Sequence, residues 1–350
     1  MRIVPLAASL TGGIAIAVIA YTAYWFVAAD EIEDRIAGWA EDQKARGITV
    51  EAGTPEVSGY PLHFEILLQH PSVDNPADGW AWRGEALTAS FRPWRFDKFD
   101  LTVNGQNNIR YFDGAAWQDI EGRIEDGSAW LELDGEREVE KLMLDFKRIN
   151  LNGPWGDDPA FVSRVRARAE RAAQSDDAEA PSAPVEFASA ALDFEGVEMP
   201  PGYGDEMGEN IEYLNFDFSL FGPIPDGDVD SALRRWRDDG GTLELNSFRV
   251  RWGPLGIESN GTIALDGEMR PIGALTADII GYGDIIDALI MSNMIPLGDA
   301  FLAKVAFNML ADKPEGGGPP VLRSVPVTAQ GGGIFVGPVS VGTVSPIKFH

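Results

Sequence analysis

The chain has 350 residues, 45% of them hydrophobic, with 18 Phe and 10 Trp, which is ample material for a core and excludes disorder of the whole. It has no cysteine, so disulfides, thiolate metal sites and cysteine nucleophiles are excluded together. A formal net charge of −27 repels nucleic acid and anionic headgroups and excludes a broad electrostatic footprint on either; the plainer role of the acidity is solubility.

The first element is Val4 to Ala29, VPLAASLTGGIAIAVIAYTAYWFVAA, about 26 uncharged residues that, at ~1.5 Å of helix rise each, can cross a hydrocarbon core of ~30 Å. Arg2 precedes it, and Asp30, Glu31, Glu33 and Asp34 follow. That asymmetry places the amino-terminal side in the cytoplasm and everything from Asp30 onward in the periplasm, a single-pass arrangement in the inner membrane. Val27-Ala28-Ala29 also offers a signal-peptidase site, so a cleaved leader is the alternative. The length of the run and the Tyr21, Tyr24 and Trp25 cluster at its outer end favour a retained anchor. From Asp30, which is available as a cap, Ile32, Ile36, Trp39 and Gln43 recur at helical spacing until Gly47, and the two helices can be continuous.

Beyond Gly47, short apolar alternations bounded by Gly, Pro, Asn and Asp predict strands over Ile48–Val50, Leu62–Leu68, Trp80–Phe91, Phe96–Val103 and Ile109–Phe112. Asn104-Gly105, Asp113-Gly114, Asp126-Gly127, Asp134-Gly135, Asn260-Gly261 and Asp266-Gly267 predict tight hairpin turns, and therefore antiparallel neighbours in a meander. Over Asp157–Ala173 the stripe Phe161, Val165 and Ala169 predicts a helix. Its remaining surface carries Arg164, Arg166, Arg168 and Arg171, either a solvated face paired with the chain's own carboxylates or a site for phosphate or an acidic partner. Residues 175–184, SDDAEAPSAP, read as a linker between two halves.

In the second half, Val185–Phe194 and Ile211–Phe221 read as strands, and Asp228–Asp238 as a short helix packed through Val229, Leu233 and Trp236. Leu243 and Leu245 are out of step with Phe248, Val250 and Trp252, which predicts a bulge at Asn246-Ser247. Leu255 and Ile257, then Ile263 and Leu265, continue the meander to Ala277. A packed helical hairpin is predicted over 283–311, through Ile285, Ile286, Leu289 and Ile290, then from Pro296 through Phe301, Leu302, Val305, Phe307 and Leu310. After a loop at Gly316–Pro320, strands over Val325–Ala329 and Ile334–Val341 close the chain around Gly331-Gly332-Gly333.

His63, His70 and His350 are the only imidazoles, and no zinc-site spacing occurs. His63 reads as a partly buried histidine on a strand. Asp226, Asp228 and Asp230 copy the start of a calcium loop, but Ser231 stands at the turn glycine and Arg237 at the bidentate Glu, so helix capping by Asp228 is the better account. Gly202-Tyr203-Gly204 with Gly208 misses the dinucleotide spacing, and Ser340 lacks the nucleophile elbow. No catalytic residue, metal ligand or cofactor is assigned, and the chain is not read as an enzyme. Three aromatic clusters, Trp80 with Trp82, Phe91 with Trp94 and Phe96, and Tyr111 and Phe112 with Trp117, are either core or the lining of an apolar groove.

Tyr24-Trp25-Phe26, Gly59-Tyr60-Pro61-Leu62-His63-Phe64, Gly261–Ile280 and Ile334-Phe335-Val336-Gly337-Pro338, in that order, resemble a family of unknown function from alphaproteobacteria. That family in turn resembles the AsmA-like envelope proteins. The resemblance implies a curved antiparallel sheet with an apolar inner surface and a role in lipid traffic or outer-membrane biogenesis, and it brings no catalytic residues. The expected architecture is α+β, mainly β: an N-terminal transmembrane anchor or signal peptide (1–29), then a curved antiparallel β-meander with helices packed on one side. It divides into a first half (30–174), the linker (175–184) and a second half (185–350). The expected partners are the inner membrane and a lipid or other apolar ligand, or else an envelope protein for which the chain is a non-catalytic scaffold.

Overall fold

The computed structural model describes residues 4–172, 184–202, 207–225, 227–291, 297–313 and 318–347, with side chains described from Ala17 onward apart from those of Leu289 and Asp299. Pro5 lies in the first helical turn, where its missing N–H costs nothing, and no proline follows until Pro55. A single helix, α1 (Val4–Ala45), therefore runs straight through Asp30, which is an interior residue and not a cap. Gly47, at φ +86°, ends it. Among the described residues no helix is long and apolar enough to cross a membrane; the first part of the apolar run lies outside the described side chains.

Seventeen strands follow among the described residues: β1 (Thr49–Glu51), β2 (Glu56–Ser58), β3 (Phe64–Gln69), β4 (Ser72–Asn75), β5 (Trp80–Arg92), β6 (Arg95–Phe112), β7 (Trp117–Leu133), β8 (Val139–Gly153), β9 (Gly156–Arg171), β10 (Glu186–Glu198), β11 (Asn210–Phe221), β12 (Thr242–Trp252), β13 (Leu255–Leu265), β14 (Pro271–Ile280), β15 (Val321–Gln330), β16 (Gly333–Val336) and β17 (Val339–Thr343). Helix α2 (Val229–Asp238) joins β11 to β12, and α3 (Tyr282–Met291) and α4 (Leu297–Leu310) stand between β14 and β15. From β5 to β17 every strand pairs antiparallel with its sequence neighbours. The other edge of β5 is shared between β3 and β4, with β2 beyond β3 and β1 beyond β4. The meander expected from the turns is thus one large sheet. It passes through the linker region by direct pairing of β9 with β10; residues 175–183 lie outside the described residues.

Several local expectations are corrected. The helix expected over Asp157–Ala173 is absent: β9 runs through Arg171, with Arg164, Arg166 and Arg168 on one face and Val165, Ala167 and Ala169 on the other, and Ala173 lies outside the described residues. A spacing of four fits a helical stripe and a strand face equally, and the alternation between the arginines decides for the strand. Asn104-Gly105, Asp126-Gly127 and Asn260-Gly261 are not turns but lie inside β6, β7 and β13. Gly105 sits at a break in the β6–β7 register, and Gly127 lets the neighbouring strand approach so closely that a Cβ would lie 2.1 Å from the Val103 carbonyl oxygen. The strand expected over Ile334–Val341 breaks at Gly337 (φ +55°) into β16 and β17.

The bulge at Asn246-Ser247 is present: the register of β12 shifts there against both neighbours. Helix α2 is capped by Asp228, whose side chain accepts from the Ser231 amide at 3.0 Å, as expected. Its buried residues are Ala232 and Trp236, while Val229 is exposed. In the helical hairpin the buried residues include Tyr282, Ile286, Ala300, Ala303 and Phe307. Phe301, Leu302, Val305 and Leu310 turn outward instead; Pro296 lies outside the described residues.

The core is divided. Trp25 of α1 stacks on Phe64 at 4.9 Å between ring centroids, and with Ile66 and Phe91 they form one cluster against which Ile32 and Ile36 pack. Trp39, expected on the same face, is exposed. Helices α3 and α4 close a second cluster over Ala277, Ile279, Leu322 and Val325. Between them, the cluster Ile124, Ile149 and Val162 is made of strand residues only. The chain exposes 21343 Å², about half as much again as the ~14,000 Å² expected of a compactly folded chain of 38.0 kDa. Among the described residues helices close only the two end clusters, and the stretch between them is a single layer of sheet.

Candidate ligand-binding face

Residues directly opposite one another on paired strands share a face, so a face can be followed from strand to strand. Starting at Ile66 on β3, the register leads through Ala89, Leu101, Ala129, Leu144, Ala167, Leu192, Phe216, Phe248, Ser259 and Ala277 to Val325 on β15. Eleven of these twelve positions are apolar, which alternation along each strand requires if one face is to avoid water. The first two lie beneath α1 and the last two beneath α3 and α4, so both helical elements pack on this same side.

A parallel row, Phe146, Val165, Phe194, Leu214, Val250, Ile257, Ile279 and Leu322, runs beside it. In the stretch between the helices, Leu101, Leu144, Ala167, Leu192, Phe216 and Phe248 are only half-buried. From β6 to β12 this face spans six strand spacings, about 29 Å.

The opposite face has the reverse chemistry. One residue along, the register reads Thr102, Ser128, Asp145, Arg166, Asp193, Asn215, Arg249, Glu258 and Asp278. A depression of about 1120 Å³ lies on this side, lined among others by Trp130, Met143, Asp145, Arg164, Arg166 and Arg249. The β9 arginines inside it are engaged. Arg164 forks onto Asp145 with two bonds of 2.7 Å, Arg166 reaches Glu195, and Arg168 reaches Asp217 at 2.5 Å. Of the two readings of these arginines, pairing with the chain's own carboxylates is the one observed. The Arg164 hydrogen bond holds the Asp145 carboxyl below the usual carboxylate range, and Asp145 raises Arg164 in return. The β9 arginines are thus paired with carboxylates on β8, β10 and β11.

The aromatic clusters do not line one groove. Phe91 is buried with Phe64 under α1, while Trp94 and Phe96 point outward. Trp82 donates to Asn107 at 3.2 Å, and Phe112 packs on Trp117 at 5.8 Å near the far end of β6. His63 precedes β3 and is half-exposed, 3.9 Å from Glu65, rather than partly buried on the strand; His350 lies outside the described residues. Among the described residues no cluster of His, Asp and Glu is placed to hold a metal ion. Sequence reasoning missed the apolar rows themselves. Alternation in β8, where Leu142, Leu144 and Phe146 interleave with Lys141, Met143, Asp145 and Lys147, was the available signal.

No curated protein and no solved structure matches the chain. A family model, described as an uncharacterized protein conserved in bacteria (DUF2125), matches residues 25–345, nearly all of the helix-clamped sheet from Trp25 onward. The chain belongs to this bacterial family, DUF2125.

Proposed function

We propose that this is a protein of the bacterial envelope, held in the inner membrane by the apolar start of α1, whose uncovered sheet face in the periplasm binds the acyl chain of a lipid or a similar apolar ligand. The observation that carries the reading is the apolar register row, unbroken but for Ser259, half-buried over β6 to β12 except at buried Ala129 and, among the described residues, roofed by helices only at its ends. An apolar strip of this extent on a soluble surface is a binding surface by default. Each Å² that a ligand covers contributes about 25 cal/mol before ordering costs. The likeness to AsmA-like proteins points the same way, as an analogy of architecture.

The test is to extract the full chain from membranes without stripping lipid and to quantify the lipids retained by mass spectrometry. The double variant Phe216→Glu with Phe248→Glu serves as the comparison, because it leaves the anchor and its surrounding lipids untouched. Loss of a defined lipid in the variant supports the reading; identical lipid content in both refutes it. A second reading, a scaffold that recruits an envelope protein, is favoured by α4, where Leu297, Phe301, Leu302 and Met309 are each more than 60% exposed. It predicts that photo-cross-linkers at Phe301 capture one protein and that the sheet-face variant is silent.

A further inference from the structure

Two turns of the sheet clasp α1 at one level. In the turn between β2 and β3, the Pro61 carbonyl accepts from the Tyr21 hydroxyl, Thr22 lies 2.7 Å from the Tyr60 hydroxyl, and Phe26 stacks on Tyr60 at 5.8 Å. In the turn between β5 and β6, the Pro93 carbonyl accepts from the Tyr24 hydroxyl at 3.3 Å. Around this clasp large apolar side chains face outward: Phe26 is 56% exposed, Leu62 66%, Trp94 58% and Phe96 53%. Four such groups at one level are costly on a surface meant only for water, and three of them are aromatic, the type that favours the membrane–water boundary.

Their height relative to a bilayer follows from the helix. Residues 4–20 are uncharged and lie on the amino-terminal side of the clasp; at ~1.5 Å each they supply about 26 Å, the short end of a membrane span. The clasp then falls where the hydrocarbon ends and headgroups begin. Arg92 and Arg95 flank Pro93-Trp94, and Arg95 is 3.1 Å from Asp97 on the exposed edge. Two cations at the tip of one hairpin, in a chain of net charge −27, stand where phosphate would meet them.

We propose that the β2–β3 and β5–β6 turns form, with α1, a collar seated in the headgroup layer of a phospholipid bilayer. Trp94, Phe96, Leu62 and Phe26 enter the acyl boundary, and Arg92 and Arg95 face phosphate. The collar rests on the membrane-anchor part of the proposed function and is independent of whether the sheet face binds lipid. It fixes the sheet upright at the membrane surface, where a helix and a flexible connection would let it swing.

Because the chain has no cysteine, single-cysteine variants of the full chain can each carry one environment-sensitive fluorophore. Trp94→Cys reports the collar, Leu10→Cys the anchor, and Ala115→Cys, in the exposed turn at the other end of β6, the aqueous phase. In vesicles of phosphatidylethanolamine and phosphatidylglycerol, a quencher on the lipid headgroup should quench position 94 several-fold more than position 115, and a quencher deep in the acyl chain should act on position 10. Quenching at 94 no greater than at 115, with position 10 quenched, overturns the collar and leaves the anchor standing. If position 10 is also unquenched by either lipid, collar and anchor fall together.

Discussion

Replacing Leu192 by Asp puts the single-layer reading of the sheet at risk. Leu192 lies near the middle of the apolar row, between Ala167 and Phe216, and is half-buried. Complete burial of a leucine side chain is worth about 1.5–3 kcal/mol, so the half supplied by strand neighbours alone contributes ~1 kcal/mol. The poor fit of Asp to a strand adds up to ~1 kcal/mol. On an uncovered face the carboxylate keeps its water, and the total stays at roughly 1–2 kcal/mol. Under a second layer the same change would create a cavity and desolvate an unpaired charge, together beyond ~5 kcal/mol, comparable with the whole stability of a domain. Urea unfolding of the delipidated full chain, followed by circular dichroism at matched m-values, separates the cases. A loss above ~4 kcal/mol, or no cooperative transition, refutes the reasoning.

Trp25→Ala should cost about 3–5 kcal/mol, as removal of a large buried aromatic does, and should speed hydrogen exchange over residues 21–36; unchanged exchange would show that α1 is not held by its stack on Phe64. Gly253→Ala should destabilise by more than ~2 kcal/mol, since φ is +52° there and a Cβ would lie 2.0 Å from the Met207 carbonyl oxygen; a neutral thermal-melt result counts against the β12–β13 turn described. Asp266 accepts from the amides of Glu268 and Arg270 and from the Arg270 guanidinium, at 2.8, 2.9 and 2.8 Å. These contacts, the Arg270 amide foremost, hold its carboxyl below the usual range. A depressed folded-state value stabilises above the unfolded pKa and is lost as pH falls through the folded one. Asp266→Asn should therefore weaken the fold at pH 7, and its deficit relative to wild type should shrink below about pH 4 in pH-dependent unfolding.

What could be read from the sequence was local. The bulge at Asn246-Ser247 was legible because Leu245 and Phe248 break parity within one strand. The Asp228 cap was legible because its hydrogen bond spans three residues. The β9 helix was misread because Phe161, Val165 and Ala169 recur at four, a spacing common to both periodicities. Glycine after Asn or Asp announced a turn equally well at Asp266-Gly267, where there is one, and at Asn104-Gly105, where the glycine relieves crowding inside a strand. The apolar face was legible within a single strand such as β8, but its continuity across strands was not. That Leu144, Ala167 and Leu192 stand side by side depends on every turn length and bulge between them, and no window of sequence contains that information. The aromatic clusters are close in sequence but not in place on the sheet: Phe91 is buried beneath α1, Trp94 and Phe96 point outward at the β5–β6 turn, and Phe112 packs on Trp117 at the far end of β6.

The order of pairing has a consequence for how such a protein is made. Beyond the opening strands, every strand docks on the one synthesised just before it, so the edge already laid down is the only template the next segment needs. A chain that emerges amino end first during synthesis can zip up progressively. Strand partners are sequence neighbours, and among the described strands from β5 onward no early one waits exposed for a distant, late-arriving mate.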